Sequence, residues 1–254
     1  MIDLHTHVLP GLDDGAATLE EALEMMRIAA EDGITEIVAT PHADLQFAFV
    51  PGAVERAARE LVDASGGAPR LHAGCELHLT FENLQQCLAA PSRYSIAGTR
   101  YVLVEVPDYL TMDVVTEVLG RLRAADLVPI IAHPERSPLV AGRLDTLRQW
   151  TSEGCLLQIT AGSLLGRFGK RAQYAANELL LAHDVHLVAS DAHDTRHRPP
   201  VLSVARRHVA RRTEAEYACL LFDENPAAVL RGEILPKRQL PERTRPAWRR
   251  FFAS

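Results

Sequence analysis

The chain has 254 residues, of which 47 % are apolar, and this length suits one α/β barrel, so we expect a single domain over residues 1–254. The formal charge of −6 comes without any basic block, which argues against a nucleic-acid partner held by phosphate neutralisation. No apolar run reaches about 18 residues and candidate metal ligands begin at His5, so we expect neither membrane insertion nor a cleaved leader, and a cytoplasmic location.

Strands and helices are predicted to alternate along the chain. Thr18 to Glu21 form a capping box, apolar residues at helical spacing follow, and Gly33 ends this first helix. Further helices are predicted near 52–65, 115–125, 143–153, 170–183 and 200–230, with a looser segment at 80–100 and a surface extension over about 236–254. Strands are predicted at 1–5, 36–41, 71–76, 101–106, 128–132, 155–160 and 185–190.

This alternation indicates an α/β fold with parallel strands and right-handed crossovers. Seven such units predict a closed or nearly closed TIM-like barrel. In barrels of this kind the active site lies at the carboxyl ends of the strands, so residues that are distant in sequence meet there.

The predicted strands end repeatedly in residues that bind metals. The first strand ends in His5-Thr6-His7, and because residues two apart on a strand point the same way, both imidazoles face one side. One such pair can arise by chance, but five later apolar runs also end in ligand-type residues. These are His42, Glu76, Glu105, His133, and Asp191 with His193.

The loop 11–15 adds a carboxylate, for which we choose Asp14 over Asp13. Nine nitrogen and oxygen ligands are too many for one tetrahedral ion, so we expect two or three divalent ions. Imidazole and carboxylate without thiolate suit Mn, Fe or Zn. For each residue taken singly, the alternative is a hydrogen-bonded histidine or a salt-bridged acid at the barrel rim, but nine such coincidences favour a metal centre.

Several motifs together resemble the polymerase and histidinol phosphatase (PHP) superfamily. Within it, the chain is similar to the bacterial protein tyrosine phosphatases of capsule and exopolysaccharide synthesis. The motifs are Met1 to His7, Asp13-Asp14-Gly15, Thr40-Pro41-His42, Gly74-Cys75-Glu76, Ala132-His133-Pro134-Glu135-Arg136 and Ser190-Asp191-Ala192-His193, with a weaker match at Asp223-Glu224-Asn225-Pro226. The resemblance implies a distorted seven-stranded (β/α)7 barrel with a trinuclear site that usually holds Mn²⁺.

The resemblance also implies roles for individual residues. One ion would be held by His5, His7, Glu76 and Asp191; a second by Glu76, Glu105 and His133; and a third by Asp14, His42 and His193. Arg136 and Arg198 would bind the phosphate, although a rim salt bridge is the alternative for each, and Arg196 lies close enough in sequence to be confused with Arg198.

The implied activity is hydrolysis of phosphotyrosine in a protein. A divalent cation lowers the pKa of bound water from about 15.7 to about 7, so a metal-bridging hydroxide is the expected nucleophile. The implied substrate is the tyrosine-rich tail of a bacterial tyrosine autokinase that controls polysaccharide export, which would make any membrane contact indirect. The alternatives are a small-molecule phosphatase such as histidinol-phosphate phosphatase, a phosphodiesterase, or a non-catalytic regulatory module that binds metal.

Two further features leave alternatives open. Cys87 to Arg93 match the C-x5-R pattern of thiolate tyrosine phosphatases, but Pro91 removes a backbone donor and the loop contains no glycine, so we reject this route. The four cysteines are scattered and are expected to be buried thiols. Phe47 and Phe49 belong either to a mobile lip over the site or to an ordinary loop packed on the barrel, and we favour packing.

Overall fold

Parallel strands and helices alternate through residues 1–235, the part of the chain that the computed structural model describes. The strands are β1 (Ile2–Thr6), β2 (Glu36–Ala39), β3 (His42–Ala43), β4 (Arg70–Ala73), β5 (Glu76–His78), β6 (Tyr101–Glu105), β7 (Val128–Ala132), β8 (Leu156–Thr160) and β9 (Leu187–Ala189). The extension predicted at 236–254 lies outside the described residues. Within the described part, no helix has both the length and the apolarity needed to cross a bilayer.

The helices cover the strands in the predicted order. They are α1 (Leu19–Glu31), α2 (Pro51–Ser65), α3 (Phe81–Ala89), α4 (Pro91–Tyr94), α5 (Met112–Ala124), α6 (Leu144–Ser152), α7 (Ala161–Leu164), α8 (Gly169–Leu181), α9 (Ser203–Arg212), α10 (Ala215–Cys219) and α11 (Asn225–Leu230). Thr18 caps α1 as predicted and accepts a hydrogen bond from the Glu21 N–H at 3.2 Å. The Glu21 carboxylate accepts its bond from the Ala17 N–H at 3.0 Å, one residue before the cap.

Every strand pairing is parallel, and two of the seven predicted strands are broken. The strand predicted at 36–41 is divided into β2 and β3, and the one at 71–76 into β4 and β5. Pro41 has no N–H to donate at the first break. At the second break the backbone of Gly74 is packed so closely that a Cβ would lie 3.1 Å from Val38 Cγ1. The result is one sheet ordered β1-β2-β4 and a second ordered β3-β5-β6-β7-β8-β9.

Hydrogen bonds connect the first strand to the chain just beyond the last strand. The Asp191 N–H donates to the His5 carbonyl at 3.0 Å, and the His7 N–H donates to the Ala192 carbonyl at 2.8 Å. Both faces of the strands are buried: on β8, Leu157 packs in the main core while its neighbour Gln158 is also fully buried. The prediction of a distorted, TIM-like α/β barrel is therefore confirmed.

The prediction of a looser segment over 80–100 is wrong. Residues 80–100 contain α3 and α4, and Thr80 caps α3 by accepting a hydrogen bond from the Asn83 N–H at 3.1 Å. On α3 only Leu84 and Cys87 are buried, and a new helix, α4, begins at Pro91 after the single residue Ala90. The apolar pattern of each helix is thus too short to be recognised as periodic.

Candidate metal centre

The nine predicted ligands come together at the carboxyl ends of the strands. Four overlapping groups of side chains each place one nitrogen or oxygen atom per residue within 4.8 Å of the others. The groups are His7, Asp14, His42 and His193; His5, His7 and Glu76; His5, His133 and Asp191; and His42, Glu76 and Glu105. The parallel topology thus brings residues 5 to 193 of the chain to one place.

Glu76 lies at the middle of this cluster and is almost fully buried. Its Oε2 atom is 3.2 Å from His5 Nε2 and 3.4 Å from His7 Nε2, and those two nitrogens are 3.2 Å apart. Its Oε1 atom lies 2.8 Å from His133 Nε2. Oε2 also lies 3.0 Å from His42 Nδ1, so three imidazole nitrogens surround this oxygen, and none of them makes a well-aligned hydrogen bond to it. A buried carboxylate oxygen without a hydrogen bond is costly unless a cation compensates it.

Two residues behind the cluster orient the central imidazoles. His5 Nδ1 lies 2.9 Å from the side-chain oxygen of Gln158, and His7 Nδ1 lies 2.7 Å from Asp13 Oδ2. Because both partners accept, each Nδ1 carries the hydrogen, and the Nε2 lone pair of each ring would face the centre once a cation displaces the second proton. Asp13 therefore orients the His7 ring, while Asp14 beside it faces the cluster.

The Asp-Asp-Gly loop packs directly against the first strand. A Cβ at Gly15 would lie 2.0 Å from the His7 carbonyl oxygen, so only glycine fits there. This close approach places Asp14 Oδ1 at 3.4 Å from both His42 Nε2 and His193 Nε2. The loop thus contributes a half-exposed carboxylate to one side of an otherwise buried cluster.

Two residues of the cluster adopt left-handed backbone conformations that are unfavourable for side chains other than glycine. The φ angle is 33° at His133, after β7, and 55° at Asp191, after β9. Strain of this kind persists only where surrounding contacts enforce it, and it concentrates at functional sites.

The histidines and carboxylates of the cluster shift one another's pKa values. Burial by itself would lower the pKa of His7, but the carboxylates of Asp13, Asp191 and Glu76 close to its ring outweigh burial and hold the pKa well above its usual range. Likewise burial opposes charge on His42, yet Asp14 and Glu76 raise its pKa to about 10. Protonated imidazoles therefore compensate the buried carboxylates, and bound divalent cations can supply the same positive charge.

Both predicted arginines reach the cluster. Arg136 donates a hydrogen bond to Asp191 Oδ2, and Arg198 forms an ion pair with the same oxygen at 2.7 Å. Both arginines line a cavity of about 380 Å³ together with the predicted ligands Asp14, His42, Glu76, Glu105, His133, Asp191 and His193. Arg196 is exposed and does not line this cavity, so Arg198 is the residue placed to meet a phosphate.

Two residues beside the cluster were not predicted from the sequence: His78, which lines the cavity, and Phe168, which contacts the two arginines. His78 follows Glu76 by two positions, and its Nδ1 lies 3.1 Å from Glu105 Oε2; the Glu-x-His spacing on a strand was the available signal. Phe168 lies under both arginines, with their Cζ atoms 4.3 Å (Arg136) and 5.5 Å (Arg198) from its ring centroid. No local pattern distinguishes this phenylalanine.

The structure also decides the two open features. Cys87 is fully buried on α3, and burial raises the pKa of its thiol to about 12, so it cannot serve as a thiolate nucleophile. Cys75 and Cys155 are buried as predicted, whereas Cys219 is half-buried. Phe49 packs against Tyr94 with ring centroids 4.9 Å apart, as favoured, while the Phe47 ring lies 6.1 Å from that of His42, beside the cluster.

A parallel α/β barrel that gathers buried imidazoles and carboxylates at its strand ends belongs to the class of metal-dependent hydrolases. The model of the capsular polysaccharide synthesis family CpsB/CapC matches residues 1–231. The chain belongs to this family, which confirms the branch of the PHP superfamily that its motifs predicted.

Relatives and a solved structure agree with this assignment. The chain is 36 % identical over 251 residues to tyrosine-protein phosphatase YwqE of Bacillus subtilis, covering 95 % of this chain and 96 % of the relative. It is 28 % identical over 256 residues to tyrosine-protein phosphatase CpsB of Streptococcus agalactiae serotype V, covering 92 % and 100 %. It also matches a crystal structure from a study of YwqE of Bacillus subtilis and CpsB of Streptococcus pneumoniae, described as unique metal-dependent tyrosine phosphatases. That match has a TM-score of 0.85 and 32 % identity, and covers 94 % of this chain and 97 % of the other.

Proposed function

We propose that the chain is a metal-dependent phosphotyrosine-protein phosphatase whose nine clustered residues hold divalent cations. The observation that carries this proposal is the unsatisfied Glu76 Oε2 between the Nε2 atoms of His5 and His7, beside a cavity that Arg136 and Arg198 enter. The names of the matched relatives support the same activity.

The donor set fits several hard or borderline cations. It contains imidazole nitrogens and carboxylate oxygens without thiolate, which suits Mn²⁺ and also Fe or Zn. Four overlapping groups offer more ligands than one ion can take, which supports our proposal of three ions, with Mn²⁺ as the usual metal. Such ions would supply an activated water at neutral pH and would neutralise charge on the phosphate.

The residues of the chain would bind and orient the phosphate. Arg136 and Arg198 now share Asp191 Oδ2, so a phosphate entering the cavity would offer each guanidinium new oxygens at the same mouth. Donors held in place in this way stabilise the charge that develops on the phosphoryl oxygens. A tyrosine leaving group, whose pKa is about 10, departs more readily than an alkoxide and depends less on a protonating acid.

The substrate that we propose is the phosphorylated tail of a bacterial tyrosine autokinase acting in capsule or exopolysaccharide synthesis. The family match to capsular polysaccharide synthesis supports this choice of pathway. The cytoplasmic location expected from the sequence stays a prediction.

The test of this function is metal analysis of the purified protein paired with turnover of a phosphotyrosine peptide. Activity should be lost on chelation and restored by Mn²⁺. A panel that adds histidinol phosphate and a phosphodiester separates the alternative enzymes, since preference for either would replace the phosphotyrosine assignment. Metal-dependent folding without turnover of any of the three would instead identify a regulatory module.

Single substitutions separate the metal route from the thiolate route. His5→Ala or Asp191→Ala should abolish activity because each removes a residue of the cluster. Cys87→Ser is the matched control: its metal-dependent activity should persist, since Cys87 is buried on α3 away from the cavity lining. Loss of activity in this variant at unchanged metal content would contradict the proposal.

A further inference from the structure

We propose that Phe168 is a positioning residue that holds Arg136 and Arg198 in place to bind the phosphoryl group; this inference rests on the phosphatase function proposed above. Arg136 Cζ lies 4.3 Å from the Phe168 ring centroid and Arg198 Cζ lies 5.5 Å from it. A cation within about 6 Å of an aromatic face is attracted by the ring quadrupole. One ring therefore serves both guanidinium groups.

The three side chains come from separate loops, so their meeting depends on the tertiary structure. Arg136 follows β7, Phe168 immediately precedes α8, and Arg198 lies in the loop after β9. The Nε atoms of both arginines are buried and make no hydrogen bond among the described residues. Among the described residues, the guanidinium groups contact Asp191 through their terminal nitrogens and lie over the Phe168 ring.

The segment around Phe168 is itself held firmly against the site. A Cβ at Gly162 would lie 2.9 Å from Phe168 Cε2, so the ring rests directly on the glycine backbone. Arg167 Nη1 donates to the His197 carbonyl at 3.3 Å and joins this segment to the loop that carries Arg198. The Gly162 backbone thus holds one edge of the ring, and both guanidinium groups lie within about 6 Å of its centroid.

This arrangement has a consequence for the two arginines when phosphate replaces Asp191 as their acceptor. Without the ring, two long side chains of like charge would have to be ordered at each binding event. With the ring, their planes are set before phosphate arrives, and the negative ring face partly offsets their repulsion. Loss of the ring should therefore weaken phosphate binding by about 10-fold or more.

The test compares Phe168→Leu, which keeps apolar bulk but removes the π face, with Phe168→Tyr, which keeps it. Inorganic phosphate is titrated calorimetrically into each Mn²⁺-loaded protein, and KM and kcat are measured with a phosphotyrosine peptide. The leucine variant should lose about 10-fold or more in phosphate affinity and show a raised KM, with metal content and thermal midpoint near those of wild type. The tyrosine variant should regain most of the affinity. The matched control, Phe81→Leu at an exposed position on α3, should leave phosphate affinity unchanged.

Wild-type phosphate affinity in the leucine variant, or equal losses in the leucine and tyrosine variants, would overturn the role of Phe168. A second measurement is made on the unmutated protein and uses variants only to assign resonances. The Nε–H proton resonances of Arg136 and Arg198, assigned with Arg136→Lys and Arg198→Lys, should be shifted by the ring current of Phe168, and unshifted resonances would refute the stacking. Failure of wild type to turn over phosphotyrosine would instead remove the proposed function, while the phosphate titration would still report on Phe168.

Discussion

Asp13 holds His7 from behind: Asp13 Oδ2 lies 2.7 Å from His7 Nδ1, and the same oxygen accepts a hydrogen bond from the His42 N–H at 3.1 Å. One carboxylate therefore orients the imidazole that directly follows β1 and the first residue of β3 at once. The Asp13 side chain is buried and joins the Asp-Asp-Gly loop to the residue after β1 and to the first residue of β3.

Asp13→Ala should weaken metal binding without removing any proposed ligand. The His7 ring would lose the acceptor that sets its tautomer, and loss of such a partner costs about 10- to 100-fold in metal affinity. Calorimetric titration with Mn²⁺ measures this change. Asp63→Ala, at an exposed position on α2, is the control and should bind as wild type does. Equal affinity in the two variants would show that Asp13 has no orienting role.

Gly15→Ala should disable the cluster through a steric clash. A Cβ 2.0 Å from the His7 carbonyl cannot be accommodated, so the loop must move and take Asp14 away from His42 and His193. We expect loss of turnover and of part of the bound metal. Gly120→Ala on α5, where a Cβ meets only the end of Arg123 at 3.8 Å, should instead be neutral or stabilise the helix by up to about 1 kcal/mol. Turnover near wild type in the Gly15 variant would contradict this account.

Asp32→Ala should destabilise the fold but spare the chemistry. Asp32 follows α1, and its Oδ2 accepts hydrogen bonds from the N–H groups of Leu202 at 2.6 Å and Ser203 at 2.8 Å, where α9 begins. Removing this cap should cost about 1–2 kcal/mol in the free energy of unfolding. Urea unfolding measures it, with Glu31→Ala as the exposed control expected to cost under about 0.5 kcal/mol. A loss of unfolding free energy no larger than that of Glu31→Ala would show that Asp32 does not cap α9.

Stability should fall in mild acid partly through His186. Burial lowers the pKa of His186 to about 4, below its ordinary value near 6.5, and its Nδ1 accepts a hydrogen bond from the Leu157 N–H at 3.2 Å. Between these two values the unfolded chain binds a proton that the folded chain does not, so stability present above about pH 6.5 is lost as the pH falls towards 4.

The measurement is urea unfolding of wild type and His186→Asn at pH 7.5 and pH 5 with the same metal present. Wild type should lose on the order of 1 kcal/mol more than the variant between the two pH values. The histidines of the metal centre titrate in both proteins, so their contribution to the free energy of unfolding cancels when the two losses are subtracted. An identical loss in both would exclude His186 as a contributor.

Much of the fold and of the cluster could be predicted from local sequence because parallel topology sends every strand end to the same edge. A residue such as Glu105 or His133 can then be assigned to the site because it lies at the end of an apolar run. The Thr18 cap of α1 could also be predicted from the sequence, because its hydrogen-bond partners lie within four positions of one another.

Contacts between distant segments could not be predicted from local sequence patterns. Gln158 orients His5 across 153 positions, and Phe168 meets two arginines from other loops. The breaks at Pro41 and Gly74 and the helices within 80–100 also depended on packing. By itself the sequence determined the order of the elements, the ligand types and the family, because these are properties of short patterns. Only the tertiary structure decided which side chains orient the site, because that depends on the packing of loops far apart in the chain.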